Sequence, residues 1–255
     1  MRHLTFAALA LAAAGCLPIY ASTEFSNAGI PIPAGLVEGD TFQLVFVTGM
    51  ATAALSTDIN YYNSFVNTDA NSAAGSLVAG LGITWSALGS TASVNVLSNI
   101  VNTSPSTPGF GGIFDLLGNS IADGTETTGI GLYSGALQNP ISYNEAGAYY
   151  NNTVWTGTDA NGGTYAPLGS GDVSVGYSAA TNYQWTSNYV SLGGFPLVPL
   201  YAISGLLELG PNDTLENATP EPGTVGMMLF GLAACYLATR RKRMVVSPKA
   251  TTASR

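Results

Sequence analysis

The sequence predicts an α+β domain built mostly from antiparallel strands, with a β-sandwich as the alternative architecture. Three observations carry this. Thr41-Phe42-Gln43-Leu44-Val45-Phe46-Val47-Thr48 is an uncharged run rich in β-formers, the pattern of a buried strand. Behind Asp58, a capping residue type, Ile59, Tyr62 and Val66 recur at helical spacing. Glycine is abundant, 31 of 255 residues, which suits strands joined by tight turns.

Further along, Ile113-Phe114-Asp115-Leu116 and Ile121-Ala122 flank Leu117-Gly118-Asn119-Ser120, a predicted hairpin. Leu200-Tyr201-Ala202-Ile203-Ser204-Gly205-Leu206-Leu207-Glu208 reads as one closing core strand. The polar segment from Pro211 to Ala218 reads as a linker. There is no internal repeat at a period of about 20–50 residues.

Charge is distributed unevenly. The seven basic residues are Arg2, Arg240, Arg241, Lys242, Arg243, Lys249 and Arg255, and the single histidine is His3. The two cysteines, Cys16 and Cys235, also lie in apolar terminal stretches. Between Ser22 and Pro220 there is no Lys, Arg, His or Cys, whereas all 15 acidic residues fall between Glu24 and Glu221. The central domain, roughly 200 residues long, is therefore anionic and is repelled by nucleic acid.

The missing residue types also exclude mechanisms. Ser-His-Asp and Cys-His nucleophiles, most zinc sites and a lysine-bearing phosphate loop cannot be assembled. Carboxylate chemistry and oxygen-ligated calcium remain open. The acidic residues are scattered singly, and no spacing marks a catalytic pair. The expectation is a protein that is not an enzyme, with a carboxylate-dependent glycan hydrolase as the alternative.

The termini carry targeting patterns. Met1-Arg2-His3 precedes an apolar run from Leu4 to Ala14, then Gly15 and small residues, the layout of a secretory signal peptide over residues 1–21. Ile19-Tyr20-Ala21 supplies the cleavage site and Ser22 the mature start. A lipoprotein signal, with Ala13-Ala14-Gly15 before a lipidated Cys16, is the alternative. At the other end, Thr219-Pro220-Glu221-Pro222-Gly223 precedes an apolar stretch from Val225 to Ala238. Arg240, Arg241, Lys242 and Arg243 then form a stop-transfer cluster, which holds the tail at residues 244–255 in the cytoplasm. The stretch is short for a transmembrane helix, but snorkelling arginines extend its reach.

This tail closely resembles the PEP-CTERM sorting signal of Gram-negative-type bacteria, whose tripeptide Pro220, Glu221 and Pro222 reproduce. The resemblance implies cleavage near the motif by an exosortase, a membrane-embedded cysteine-dependent protease. It implies transient membrane insertion, then release to the cell surface or extracellular matrix, often alongside exopolysaccharide. The domain organisation expected is a signal peptide over 1–21, an extracytoplasmic domain over 22–210, a linker over 211–219, the sorting signal over 220–243 and the tail.

The central domain offers a second resemblance. Trp85-Ser86-Ala87-Leu88-Gly89-Ser90, the hairpin, Val154-Trp155-Thr156-Gly157-Thr158-Asp159, Trp185-Thr186-Ser187 and the closing strand follow one another in order. This succession looks like the C-type-lectin-like fold in its endostatin-type variant, where tryptophan-centred motifs form the core. The chain departs from that family in lacking its disulfide cysteines, basic residues and metal-binding histidines, and the Glu-Pro-Asn and Trp-Asn-Asp motifs of calcium-dependent lectins. The resemblance therefore implies the fold and none of those activities.

Two candidate sites follow from the residues. Tyr143, Tyr149, Tyr150 and Tyr165 form a tyrosine-rich set suited to ligand binding, because each side chain presents an apolar face and a hydroxyl. Trp85, Trp155 and Trp185 read instead as core. Asp159-Ala160-Asn161-Gly162-Gly163 places oxygen-bearing Asp159 and Asn161 at alternate positions, as a calcium loop does. The same pattern is a common Asx turn, and that is the preferred reading. No other cofactor is expected.

Overall fold

A computed structural model describes residues 23–25, 30–100, 109–123 and 131–211. Along the chain run β1 (Thr23–Phe25), β2 (Thr41–Val47), α1 (Ile59–Ser72), β3 (Trp85–Ala87), α2 (Val96–Asn99), β4 (Phe110–Asp115) and β5 (Ser120–Asp123). After them come β6 (Thr153–Trp155), β7 (Asp172–Tyr177), β8 (Tyr189–Leu192), β9 (Tyr201–Ser204) and β10 (Leu207–Leu209). Short 3-10 turns lie at Gly131–Tyr133 and Tyr183–Trp185. The described chain is mostly sheet with few helices, and no barrel closes among its strands.

β2 is the central strand of the larger sheet, as its uncharged run predicts. It pairs in parallel with β4 and antiparallel with β9 and β10. Side chains alternate along a strand, so Phe42, Leu44 and Phe46 enter one apolar cluster while Val45 and Val47 enter another. Both faces are covered, which is why the segment has no polar stripe. β5 adds to β4 as the predicted hairpin, with the Asp115 carboxylate accepting the Leu117 and Asn119 N–H groups across the turn. The pairs β1–β10 and β2–β4 are parallel and the other paired strands are antiparallel.

The closing segment is two strands rather than one. The Gln43 amide donates to the Ser204 carbonyl at 2.8 Å, and the Ser204 hydroxyl accepts the Leu44 N–H at 2.9 Å. Side chains thus replace ladder bonds at this point, and Gly205 turns its N–H to Thr84. Before the break β9 bridges β2 and β3, and after it β10 bridges β2 and β1.

α1 begins where Asp58 accepts the Asn60 N–H at 3.0 Å, the predicted cap. It buries Ile59, Tyr62, Val66, Asp69 and Ala70. Its apolar stripe joins the same cluster as Phe46 and Trp85, whose rings meet edge to face at 4.8 Å. A second sheet, β6-β7-β8, is antiparallel throughout. Trp155 ties it to the rest: its backbone N–H reaches Pro199 and its indole N–H donates to the Thr52 carbonyl at 3.1 Å. Gly176 of β7 packs directly on the Trp185 carbonyl, leaving no room for a side chain.

The three tryptophans are core, each 0–1 % exposed. Among the described residues no helix is long and apolar enough to cross a membrane. The predicted signal peptide, linker, sorting signal and tail lie outside the described residues, apart from Pro211.

Candidate functional site

The tyrosine set divides three ways. After Tyr143, whose carbonyl accepts the Val47 N–H at the end of β2, the chain makes a tight turn. The Asn144 side chain holds this turn by accepting the Ala146 and Ala148 N–H groups. The turn brings Tyr143 opposite Tyr149 as a β-bridge, with ring centroids 5.7 Å apart and planes at 65°. Tyr149 is 60 % exposed and Tyr143 half-buried, so the pair forms a small aromatic ledge. Tyr150 turns inward instead: its hydroxyl donates to the Thr153 carbonyl, and burial pushes its pKa up. Tyr165 is exposed on a different loop, next to the Thr158–Thr164 bridge.

Asp159 closes that loop. One carboxylate oxygen accepts the N–H groups of Asn161 and Gly163, both at 2.8 Å, which is an Asx turn. Asn161 is exposed. Among the described residues no group of three or more His, Cys, Asp or Glu gathers as a metal site.

The fold also assembles a pair that no sequence spacing marks. Asp69 of α1 and Glu145 of the tyrosine turn are 0 % and 4 % exposed. Glu145 Oε2 and Asp69 Oδ2 accept the same Gly49 N–H, at 2.7 and 3.2 Å, and Asp69 Oδ1 accepts the Met50 N–H at 3.0 Å. Burial raises the Glu145 pKa from 4.5 to about 7, and the adjoining Asp69 adds to the shift through a hydrogen bond and its charge. One sign of this pair was present in the sequence. Asp69 falls on the Ile59-Tyr62-Val66 stripe, where an acidic residue must be buried. Nothing around Glu145 gave a matching sign.

Comparison with known proteins bears on the tail. Residues 218–243 match the family described as the PEP-CTERM protein-sorting motif. This match takes in Pro220, Glu221 and Pro222 and the cluster Arg240, Arg241, Lys242 and Arg243. It marks an exported protein that an exosortase processes from a membrane-anchored intermediate. No curated protein matches the chain.

Proposed function

We propose that the exported domain is a non-catalytic binding or structural protein of the cell surface or extracellular matrix, with extracellular polysaccharide as its partner. The observation that carries this reading is the Tyr143–Tyr149 ledge, an aromatic pair with Tyr149 exposed and Tyr143 half-buried, set by the Asn144 turn. Such rings stack on the apolar faces of sugars, and their hydroxyls bond to sugar oxygens. A domain with acidic but no basic side chains selects neutral glycans over nucleic acid or anionic chains.

The non-catalytic part rests on the Asp69–Glu145 pair. Glu145 Oε2 and both Asp69 oxygens accept backbone N–H groups, and both side chains are buried. We read the fold as C-type-lectin-like of the endostatin type. The support is that Trp85, Trp155 and Trp185, the centres of the resembling motifs, are all core. Cofactor-free binding belongs to the same proposal, with calcium at Asp159 and Asn161 as the variant to be tested.

A glycan array probed with the exported protein, with and without calcium, tests the reading. Binding that Tyr149→Ala abolishes while the melting temperature holds supports it. Absence of binding overturns the polysaccharide partner. Hydrolysis of an arrayed glycan would move the reading to a carboxylate-dependent hydrolase.

A further inference from the structure

We propose that Asp69 and Glu145 form a one-proton latch that holds the Thr48–Met50 corner against α1 and the tyrosine turn, and that the corner loosens as this proton leaves. Three separate elements meet here. The corner supplies the Gly49 and Met50 N–H groups, α1 supplies Asp69, and the turn supplies Glu145. The fit is close. A Cβ on Gly49 would overlap Glu145 Oε1 and lie 3.1 Å from the Asn144 amide nitrogen.

Two carboxylates sharing one N–H in the interior cannot both be charged without strong repulsion. Elsewhere in proteins an arginine or lysine relieves such a pair. Among the described residues there is no Lys, Arg or His. The groups facing Glu145 are Asp69 from α1, the Gly49 N–H from the corner and the Asn144 amide of its own turn. A single proton resolves the conflict: the neutral carboxyl donates to its ionised partner, and the pair keeps one negative charge for the two backbone donors.

The direction of the response follows. With Glu145 raised to about 7, the latch is closed at mildly acidic pH and loses its proton as pH rises through neutrality. The second buried charge is then relieved by admitting water between α1 and the turn. That opening frees the Gly49 and Met50 N–H groups. It also frees the Leu77 N–H, which donates to the Glu145 carbonyl at 2.8 Å. The tyrosine ledge sits on the same turn, so its geometry changes with the latch.

Hydrogen exchange of the full-length chain in mild detergent, at about pH 6 and about pH 8.5 and corrected for intrinsic rates, tests this. The amides of Gly49, Met50 and Leu77 should lose protection about tenfold at the higher pH, while Val175 of β7 does not. Glu145→Gln, neutral at either pH, should abolish the difference. Equal protection in the wild type at both pH values, or a full pH response in Glu145→Gln, overturns the latch. Should that variant fail to fold, the wild-type Glu145 carboxyl carbon can be titrated by NMR. A midpoint near 7 supports the latch, and one at the ordinary carboxylate value overturns it.

Discussion

Asn67 of α1 grips both backbone groups of Trp85 in β3: its Oδ1 accepts the Trp85 N–H at 2.9 Å and its Nδ2 donates to the Trp85 carbonyl. Asn63, one helical turn earlier, accepts the Ala87 N–H at 2.9 Å, and Asn99 donates to the Ala87 carbonyl. These side chains stand where a further strand would pair with β3. They cover a sheet edge with amides rather than with charge, in a domain that has no lysine to place there.

Asn67→Leu leaves both Trp85 groups without partners. The expected loss is about 1–3 kcal/mol in chemical denaturation. Asn67→Asp keeps the acceptor and loses the donor, so it should fall between the wild type and Asn67→Leu. Equal stability of Asn67→Leu and the wild type would show that water replaces the clamp.

Gly49→Ala sets a methyl group against the Glu145 carboxyl, 3.2 Å from its carbon. Because the carboxyl is buried and tied to the Gly49 N–H, it cannot move aside freely. The expected destabilisation is about 1–3 kcal/mol, read as a lowered denaturation midpoint. Gly171→Ala, at a position with open space around it and no positive φ, serves as the control for the glycine-to-alanine change alone.

The raised Glu145 pKa has a defined effect on global stability. The folded form holds its proton up to about 7, whereas the unfolded carboxyl releases it near 4.5. The contribution is therefore full below about 4.5 and is lost as pH rises through about 7. Calorimetry should show a higher melting temperature near pH 5 than near pH 8, with a flatter profile in Glu145→Gln. A large fall in melting temperature towards acid would show that Glu145 does not govern the pH dependence of stability.

Replacing Pro220, Glu221 and Pro222 with alanine should trap the chain in the membrane fraction. The expectation takes the apolar stretch beyond them to insert without the tripeptide, and the tripeptide to be the element that the exosortase recognises. Fractionation followed by immunoblotting checks this. Unchanged release into the medium would rule out the tripeptide as that element.

Mass spectrometry of the released protein should find it starting near Ser22 and ending near Pro220–Gly223. The expectation joins the signal-peptide layout at the N-terminus with the sorting match over 218–243. A surface protein that still carries Arg240–Arg243 would contradict processing at the motif.

What could be read in advance was local. β2 was legible because an uncharged run of β-formers, with Gln43 the one polar residue inside it, suits a strand buried on both faces. α1 was legible because Asp58 and the Ile59-Tyr62-Val66 spacing act within a few turns of one helix. The tryptophans were legible as core from their apolar surroundings. Other features depended on partners distant in the chain. The closing segment breaks at Ser204 because Gln43 and Leu44 bond to it from another strand. Tyr150 faces inward while Tyr149 faces out because the Asn144 turn sets which side of the bridge each takes.

The sequence by itself determined the sorting route and the electrostatic character. A terminal motif is recognised as a linear element, and a domain without basic residues is anionic in any fold. It also determined that no buried acid of this domain could find a lysine, arginine or histidine within it. Only the tertiary structure decided which acids would be buried together. Asp69 and Glu145 meet over Gly49 because α1 and the tyrosine turn both pack against the corner where β2 ends. That convergence joins three segments far apart in sequence, and the desolvation that raises the Glu145 pKa exists only once all three are in place.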